Sequence, residues 1–202
     1  MIRPFGEAAL LVELESADRA QALAASLRED PPLGMVEAVA GLRSLLVELD
    51  PLRVDLDGVS RLIERRLGGL QAQPAGGRRH IIPVTYDGQD LAEVAELTGL
   101  APAEVGARHA STELRVLFCG FAPGFAYLGD LPSELRVGRL ATPRTRTPAG
   151  SVAIAGSMSA IYPADLPGGW RVIGRTDVAL FDPHSESPAL LLPGDRVRFE
   201  PA

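Results

Sequence analysis

The amino-acid sequence predicts an α+β protein in two parts, a helix-bearing α/β half followed by an all-β half. Up to about residue 86, strand-sized apolar runs alternate with two segments of helical periodicity. From Leu114 onward, short β-type runs are cut by Gly and Pro clusters with no convincing helix between them. Between the halves, residues 90–110 carry two short helical patterns.

In the first half, Ala8 to Leu14 reads as a buried strand. Ser16 is placed to cap a helix whose apolar face is Ala17, Ala20, Leu23, Ala24 and Leu27. Asp30-Pro31-Pro32-Leu33-Gly34 stops it with a turn. Met35 to Val39 and Ser44 to Leu49 are strands on either side of Ala40-Gly41. A second helix is expected from about Asp57 to Leu67, with Gly68-Gly69 as its stop. A polar loop from Gln71 to Arg79 precedes a strand at Ile81 to Thr85. This β-α-β-β-α-β order is the split βαβ, ferredoxin-like arrangement. The expected division is an α/β domain at 1–86, a helical connector at 87–112 and a β-domain at 113–202. In the connector, Asp90 with Glu93 reads as a capping box, and Gly99 and Pro102 separate two helices. The pair superficially resembles a helix-turn-helix but offers only Arg108 as a base-reading cation, so packing is the better reading. In the second half, strands are expected at Leu114 to Cys119, Ser151 to Ala155, Trp170 to Ile173, Val178 to Phe181, Ala189 to Leu192 and Arg196 to Phe199. That spacing suggests a closed or nearly closed barrel.

Composition narrows the chemistry. The 202 residues are 46% hydrophobic and 23% charged, enough for one large domain or two small ones with separate cores. Apolar runs such as Ala8 to Val12 and Pro188 to Pro193 fall far short of the roughly 20 residues that span a bilayer. No long apolar stretch follows Arg3, so a cytoplasmic protein without a membrane partner is expected. The single cysteine, Cys119, makes no internal disulfide, which fits a reducing compartment. A net charge of −6 argues against nucleic acid as a partner. All 20 basic residues are Arg, which excludes Schiff-base chemistry, a phosphate-loop lysine and a biotinylated lysine on this chain. His80, His109 and His184 lie far apart, no metal-ligand spacing occurs, and no metal is expected. No nucleophile-elbow pattern supports a serine hydrolase, and the catalytic residues stay unknown.

Four loops rich in Gly, Pro and Arg remain as candidate sites. Gly120 to Gly129 interleaves Phe121, Phe125 and Tyr127 with Gly and Pro, either as a wall for a ligand or partner side chain or as turn and core aromatics. Pro143 to Val152 holds Arg144 and Arg146 between prolines, with Gly150 and Ser151 after them; two such guanidinium groups suit an anion, or are a solvated pair. Ala155 to Pro163 offers small and hydroxyl side chains that could line a pocket. Pro167 to Thr176 sets Trp170, more often core than platform, beside a tight turn and sends Arg175 out after a strand. Asp195 is read as a turn former.

The same segments carry a resemblance. Gly-Phe-x-Pro-Gly-Phe-x-Tyr-Leu-Gly at 120–129, Thr-Pro-Arg-x-x-x-Pro-Ala-Gly-Ser-Val at 142–152, Ile-Tyr-Pro at 161–163 and Pro-Gly-Gly-Trp-x-x-Ile-Gly-Arg-Thr at 167–176 resemble the family of 5-oxoprolinase B subunits. That family is also called KipI-like or allophanate hydrolase subunit 1. Leu-Phe-Asp-Pro at 180–183 and Pro-Gly-Asp-Arg-Val-Arg-Phe at 193–199 continue the match, as do Gly6 to Glu13, Arg43 to Val47 and Ile82 to Val84. The chain departs from the pattern at Met158, Ser159 and Ala160, where the family usually reads Gln-Thr-Gly, and at Ala122 and Ala126.

The resemblance implies a C-terminal cyclophilin-like β-barrel and a protein that works with 5-oxoprolinase subunits C and A to cleave 5-oxoproline to glutamate at the expense of ATP. It implies Arg144, Arg146, Ser151, Tyr127, Tyr162 and Arg175 as the substrate- or anion-facing set; Phe121, Phe125 and Tyr127 are the docking patch that a KipI-type regulator would offer a partner. ATP belongs to the assembled complex, and this chain carries neither metal nor biotin. The alternatives are a KipI-type inhibitor of a sensor histidine kinase and a carboxyltransferase-related subunit.

Overall fold

The computed structural model describes residues 1–71 and 76–202 and parts the chain between Gly76 and Gly77, not at residue 86. The first unit is a four-stranded antiparallel sheet of β1 (Ile2–Pro4), β2 (Ala9–Glu13), β3 (Met35–Ala40) and β4 (Ser44–Leu49), in the order β1-β2-β4-β3. Helices α1 (Ala17–Glu29) and α2 (Leu56–Gly69) complete it. Ser16 caps α1 as expected, its hydroxyl accepting from the Arg19 N–H at 3.3 Å. Ala20, Leu23, Ala24 and Leu27 are fully buried on one helical face and meet the inward rows Leu10 and Val12 of β2 and Leu45, Val47 and Leu49 of β4. Asp55, just before α2, accepts from the N–H groups of Asp57 and Gly58, both at 3.1 Å. Each buried leucine contributes about 2–3 kcal/mol, so this alternation specifies which face of the sheet the helices cover.

The ferredoxin-like order therefore forms with one change. The fourth strand position beside β2 is filled by β1 from the N-terminus, antiparallel with Arg3 opposite Leu11. The strand expected there, β5 (Arg79–Val84), instead runs parallel to the last strand of the second unit. The reason is visible in its pattern: Ile82 and Val84 point into the second unit's core while Ile81 stays exposed. Of the polar stretch before it, residues 72–75 lie outside the described residues.

The second unit holds helices α3 (Leu91–Thr98) and α4 (Pro102–Ser111), then β6 (Glu113–Cys119), β7 (Ala126–Gly129), a 3-10 turn at Ser133–Leu135, β8 (Arg144–Thr147), β9 (Ser151–Ala155), β10 (Met158–Ile161), β11 (Leu166–Gly168), β12 (Arg171–Arg175) and β13 (Arg196–Pro201). Seven strands form one sheet in the order β12-β9-β10-β7-β6-β13-β5, and β8 pairs with β11 as a separate ribbon. The large sheet curls until its edges meet. Thr85, one residue past β5, and Arg175, the last residue of β12, exchange both backbone hydrogen bonds at 2.9 Å. The barrel-like second half is thus as expected, but with additional short strands. β7, β8 and β10 each lie inside a segment read as a loop, and β11 overlaps the start of another. Conversely, the strands expected at 178–181 and 189–192 reduce to the single bridge Phe181–Ala189.

The helical pair is not a connector. It links β5 to β6 of the same sheet, with Val94, Ala95 and Val105 in the second unit's core. No described helix is long and apolar enough to cross a membrane.

Candidate functional site

The two clefts that matter lie on either side of the β8–β11 ribbon. Gly150 makes the first possible. It sits at φ +78°, where a Cβ would land on the Thr176 carbonyl oxygen. Without one, its N–H reaches the Tyr162 carbonyl at 2.8 Å and its own carbonyl accepts from Thr176 at 2.9 Å, which turns the chain tightly from β8 into β9. A cleft of about 370 Å³ results, lined by Arg144, Arg146, Ser151, Arg175, Asp87 and Gln89 among others. Four of the six residues expected to face a ligand therefore converge: Arg144, Arg146, Ser151 and Arg175.

Each of these guanidinium groups already holds a carboxylate. Arg144 meets Asp90 at 2.5 Å, Arg146 meets Asp165 through Nε and Nη2 at 2.8 and 2.5 Å, and Arg175 meets Asp87 at 2.9 Å. Three positive charges against three negative ones leave no net formal charge, so an arriving anion competes with the aspartates for these guanidinium groups. The pairs differ in how readily they yield. The side chains of Arg146 and Arg175 are 74% and 62% exposed, and pairs of that kind are worth about 1 kcal/mol or less. Arg144 is 25% exposed over an Asp90 side chain that is 7% exposed, and Asp90 also accepts from the Val172 N–H at 2.7 Å. The Ala149 N–H, followed by the Arg146 guanidinium, holds the Asp165 carboxyl below the usual carboxylate range.

The capping box expected at Asp90 does not form. Its carboxylate makes no side-chain bond to α3 and turns to Arg144 and Val172 instead. Glu93 likewise pairs with Arg171 at 2.7 Å. Asp90 through the Val172 N–H, and Glu93 through Arg171, tie α3 to the β12 wall; a charged or well-aligned partner holds each carboxylate there in place of a helix N–H.

Tyr127 and Tyr162, the other two expected ligand residues, line a second cleft of about 330 Å³ together with Phe121, Phe125, Trp170 and Arg139. The ribbon separates the clefts: Pro143 lines the aromatic one and Arg144 the charged one. Arg144 Nη1 donates to the Trp170 carbonyl at 3.4 Å across this divide. Gly168 permits the close approach of the ribbon, since a Cβ there would sit on the Tyr162 hydroxyl. Burial raises the pKa of both phenols, and the charge of Arg139 acts in the opposite direction on each. Trp170, read as more often core than platform, is 5% exposed yet contributes to the wall.

Of the third loop, Tyr162 lines the aromatic cleft while the small and hydroxyl side chains before it do not line either cleft. Ser159, Ala160 and Ile161 are buried in β10, and Ser159 belongs to a polar chain that sequence spacing did not reveal. Its hydroxyl gives its only hydrogen to the Ala153 carbonyl at 3.3 Å and so accepts from His109 Nε2 at 2.8 Å. That leaves His109 Nδ1 to accept the Tyr86 hydroxyl at 2.8 Å. His109 is fully buried and stacked on Phe199, and burial lowers its pKa to about 3. Elsewhere, Asp195 forms its turn as expected, accepting from the N–H of Leu192 at 3.1 Å, and also meets His80 at 2.9 Å. Burial, then the charge of Asp195, raises the Cys119 thiol to about 11, far from a reactive thiolate. Among the described residues, no group of three or more His, Cys, Asp or Glu is placed to hold a metal ion.

Residues 1–191 match the family described as carboxyltransferase domain, subdomain C and D. The chain is 43% identical to the 5-oxoprolinase B subunit of Escherichia coli O157:H7 over 97% of its own length and 93% of that protein's. Among solved structures, TTHA0988 superposes with a TM-score of 0.85 at 41% identity and covers all of this chain, which spans only 40% of that protein. The urea amidolyase of K. lactis shares the fold, with a TM-score of 0.80 at 21% identity, and this chain spans 15% of it. The chain belongs to the carboxyltransferase subdomain C and D family, on the branch whose members are named as B subunits of 5-oxoprolinase.

Proposed function

We propose that this chain is the non-autonomous B subunit of an ATP-dependent 5-oxoprolinase and acts with subunits C and A to open 5-oxoproline to glutamate. The observation that carries this reading is its end-to-end likeness to the E. coli protein of that name. The geometry is compatible with the division of labour. The charged cleft presents binding groups and a hydroxyl, Ser151, and neither Arg146 nor Arg175 is locked in its ion pair. A five-membered lactam is stable to water, so its opening is coupled to ATP in the complex; transfer of a phosphoryl group to the amide oxygen would weaken the ring C–N bond. The sequence of this chain has no lysine and no phosphate-binding loop, which favours ATP on its partners.

The test is reconstitution. The purified chain should release no glutamate from 5-oxoproline and ATP, and coexpression with subunits A and C should restore 5-oxoproline-dependent ATP hydrolysis. Turnover by the chain alone would overturn the non-autonomous role. A trio that ignores 5-oxoproline, while the chain suppresses autophosphorylation of a sensor histidine kinase, would favour a docking role for the patch at Phe121, Phe125 and Tyr127.

A further inference from the structure

Six of the ten aromatic side chains are linked ring to ring around the second cleft. Phe125 is the hub, with ring centroids 5.3 Å from Phe121, 5.0 Å from Tyr127, 5.4 Å from Tyr162 and 6.2 Å from Trp170. Phe118 stacks behind Tyr127 at 4.1 Å. Phe125 is 2% exposed, as a hub should be, but Phe121 is 60% exposed and is held at φ +76°. A non-glycine residue in that region is strained and persists only where its surroundings enforce it. Here the turn is closed on both sides: the Phe125 N–H donates to the Ala122 carbonyl at 3.0 Å and the Gly120 N–H to the Phe125 carbonyl at 3.2 Å. The strained backbone keeps an apolar ring in water at the mouth of an aromatic cleft, where folding alone gains little from it.

Arg139 is the cationic member of this cleft. Its backbone is pinned, because the Val137 carbonyl accepts from the Gly156 N–H and the Leu140 N–H donates to the Gly169 carbonyl, both at 2.7 Å. Its side chain is exposed and makes no ion pair or hydrogen bond with any described residue. In this it differs from Arg144, Arg146 and Arg175, each of which already holds an aspartate. A guanidinium without a carboxylate, beside a wall of ring faces and edges, is complementary to a ligand that is flat and apolar at one end and anionic at the other.

We propose that the aromatic cleft binds a small ring-bearing monocarboxylate, the ring against the accessible Phe121 and Tyr127 and the carboxylate on Arg139. The choice of a lactam acid as its natural member rests on the 5-oxoprolinase reading; the site itself does not. The charged cleft on the other side of the ribbon is then left for a partner or for the phosphorylated end of the reaction.

Trp170 is the chain's only tryptophan and lies in this wall, so its fluorescence reports on the cleft alone. Titration of the full chain with 5-oxo-L-proline should give a saturable change in Trp170 emission. The uncharged 5-oxoprolinamide should bind at least tenfold more weakly. Arg139→Gln should weaken 5-oxoproline at least tenfold and leave the amide unchanged, whereas Arg61→Gln, the same charge change in the first unit, should alter neither. In the assembled complex, Arg139→Gln should raise KM for 5-oxoproline tenfold or more with kcat nearly constant. Equal affinity for acid and amide, or wild-type KM in Arg139→Gln, overturns the proposal. An active complex with a silent Trp170 and an unchanged Arg139→Gln refutes this site and leaves the function standing. A complex inert toward 5-oxoproline, in which other cyclic carboxylates still quench Trp170 through Arg139, refutes the function and leaves the site.

Discussion

Arg144 on the β8–β11 ribbon and Asp90 at the start of α3 form a 2.5 Å ion pair beneath the charged cleft, and the same carboxylate accepts the Val172 N–H at 2.7 Å. This makes Arg144 a structural member of the cleft as much as a ligand candidate. Asp90→Ala leaves a mostly buried guanidinium without its carboxylate and one backbone N–H without an acceptor, and is expected to cost about 2–4 kcal/mol. By contrast, Arg146→Gln with Arg175→Gln should change stability by less than about 1 kcal/mol, because both pairs are largely in water. Urea denaturation of the three proteins separates these outcomes. Equal midpoints would show that burial of Asp90 contributes nothing.

The ribbon also depends on a missing side chain. A methyl group at Gly168 would occupy the place of the Tyr162 hydroxyl, and Tyr162 is itself 2% exposed and packed edge-on against Phe125. Gly168→Ala is therefore expected to push Tyr162 out of the aromatic cleft, at a cost of about 1–3 kcal/mol. The emission of Trp170 should move to longer wavelength as water enters. Unchanged emission and stability would mean that the ribbon shifts freely.

These two positions show what a sequence can and cannot convey. The helical stripe Ala20, Leu23, Ala24 and Leu27 was legible because both its spacing and its cap at Ser16 are local. β7, β8, β10 and β11 were not, since strands of three or four residues between Gly and Pro show no alternation to read. The partnership of β5 with β13 depends on a pairing across more than a hundred residues, for which Ile82 and Val84 carry no address. At the site, the motif arginines and Ser151 are legible because they sit in two of the four dense Gly- and Pro-bearing segments. Their aspartates, Asp87, Asp90 and Asp165, and the pinned Arg139 were missed because only the tertiary fold brings them there.

Within the first unit, Arg66 of α2 serves as the cap of α1. Its guanidinium donates to the Ser26 carbonyl at 2.7 Å, to the Asp30 carbonyl at 2.6 Å and to the Asp30 carboxylate at 2.5 Å, with only 16% of the side chain exposed. Those carbonyls lie at the end of α1, where the helix supplies few donors and the Ser26 carbonyl otherwise accepts only from the Asp30 N–H at 3.3 Å. Arg66→Ala should destabilise the first unit by about 1–3 kcal/mol, and Arg66→Lys should recover only part because an ammonium cannot span both carbonyls in the same fork. Hydrogen exchange over residues 24–30 gives the local readout. Unaltered protection there would rule out a capping role.

His109 predicts a pH dependence with a definite sign. In the folded protein it is neutral, donating from Nε2 to Ser159 and accepting from Tyr86, with its pKa lowered to about 3 by burial. In the unfolded chain it returns to about 6.5. Between those values the unfolded state binds one more proton than the folded state, so stability rises with pH across the window and is fully present above about 6.5. On acidification from pH 6.5 toward 4.5, this residue alone should remove about 1.4 kcal/mol per pH unit. His109→Phe keeps the ring stacked near Phe199 but leaves Tyr86 and Ser159 short of a partner. It is expected to be less stable at pH 7.5 and to lose that component of the slope. Chemical denaturation at half-unit intervals of pH measures both quantities. A slope identical to wild type in His109→Phe would show that the acid sensitivity originates in the carboxylate pairs and not in this buried imidazole.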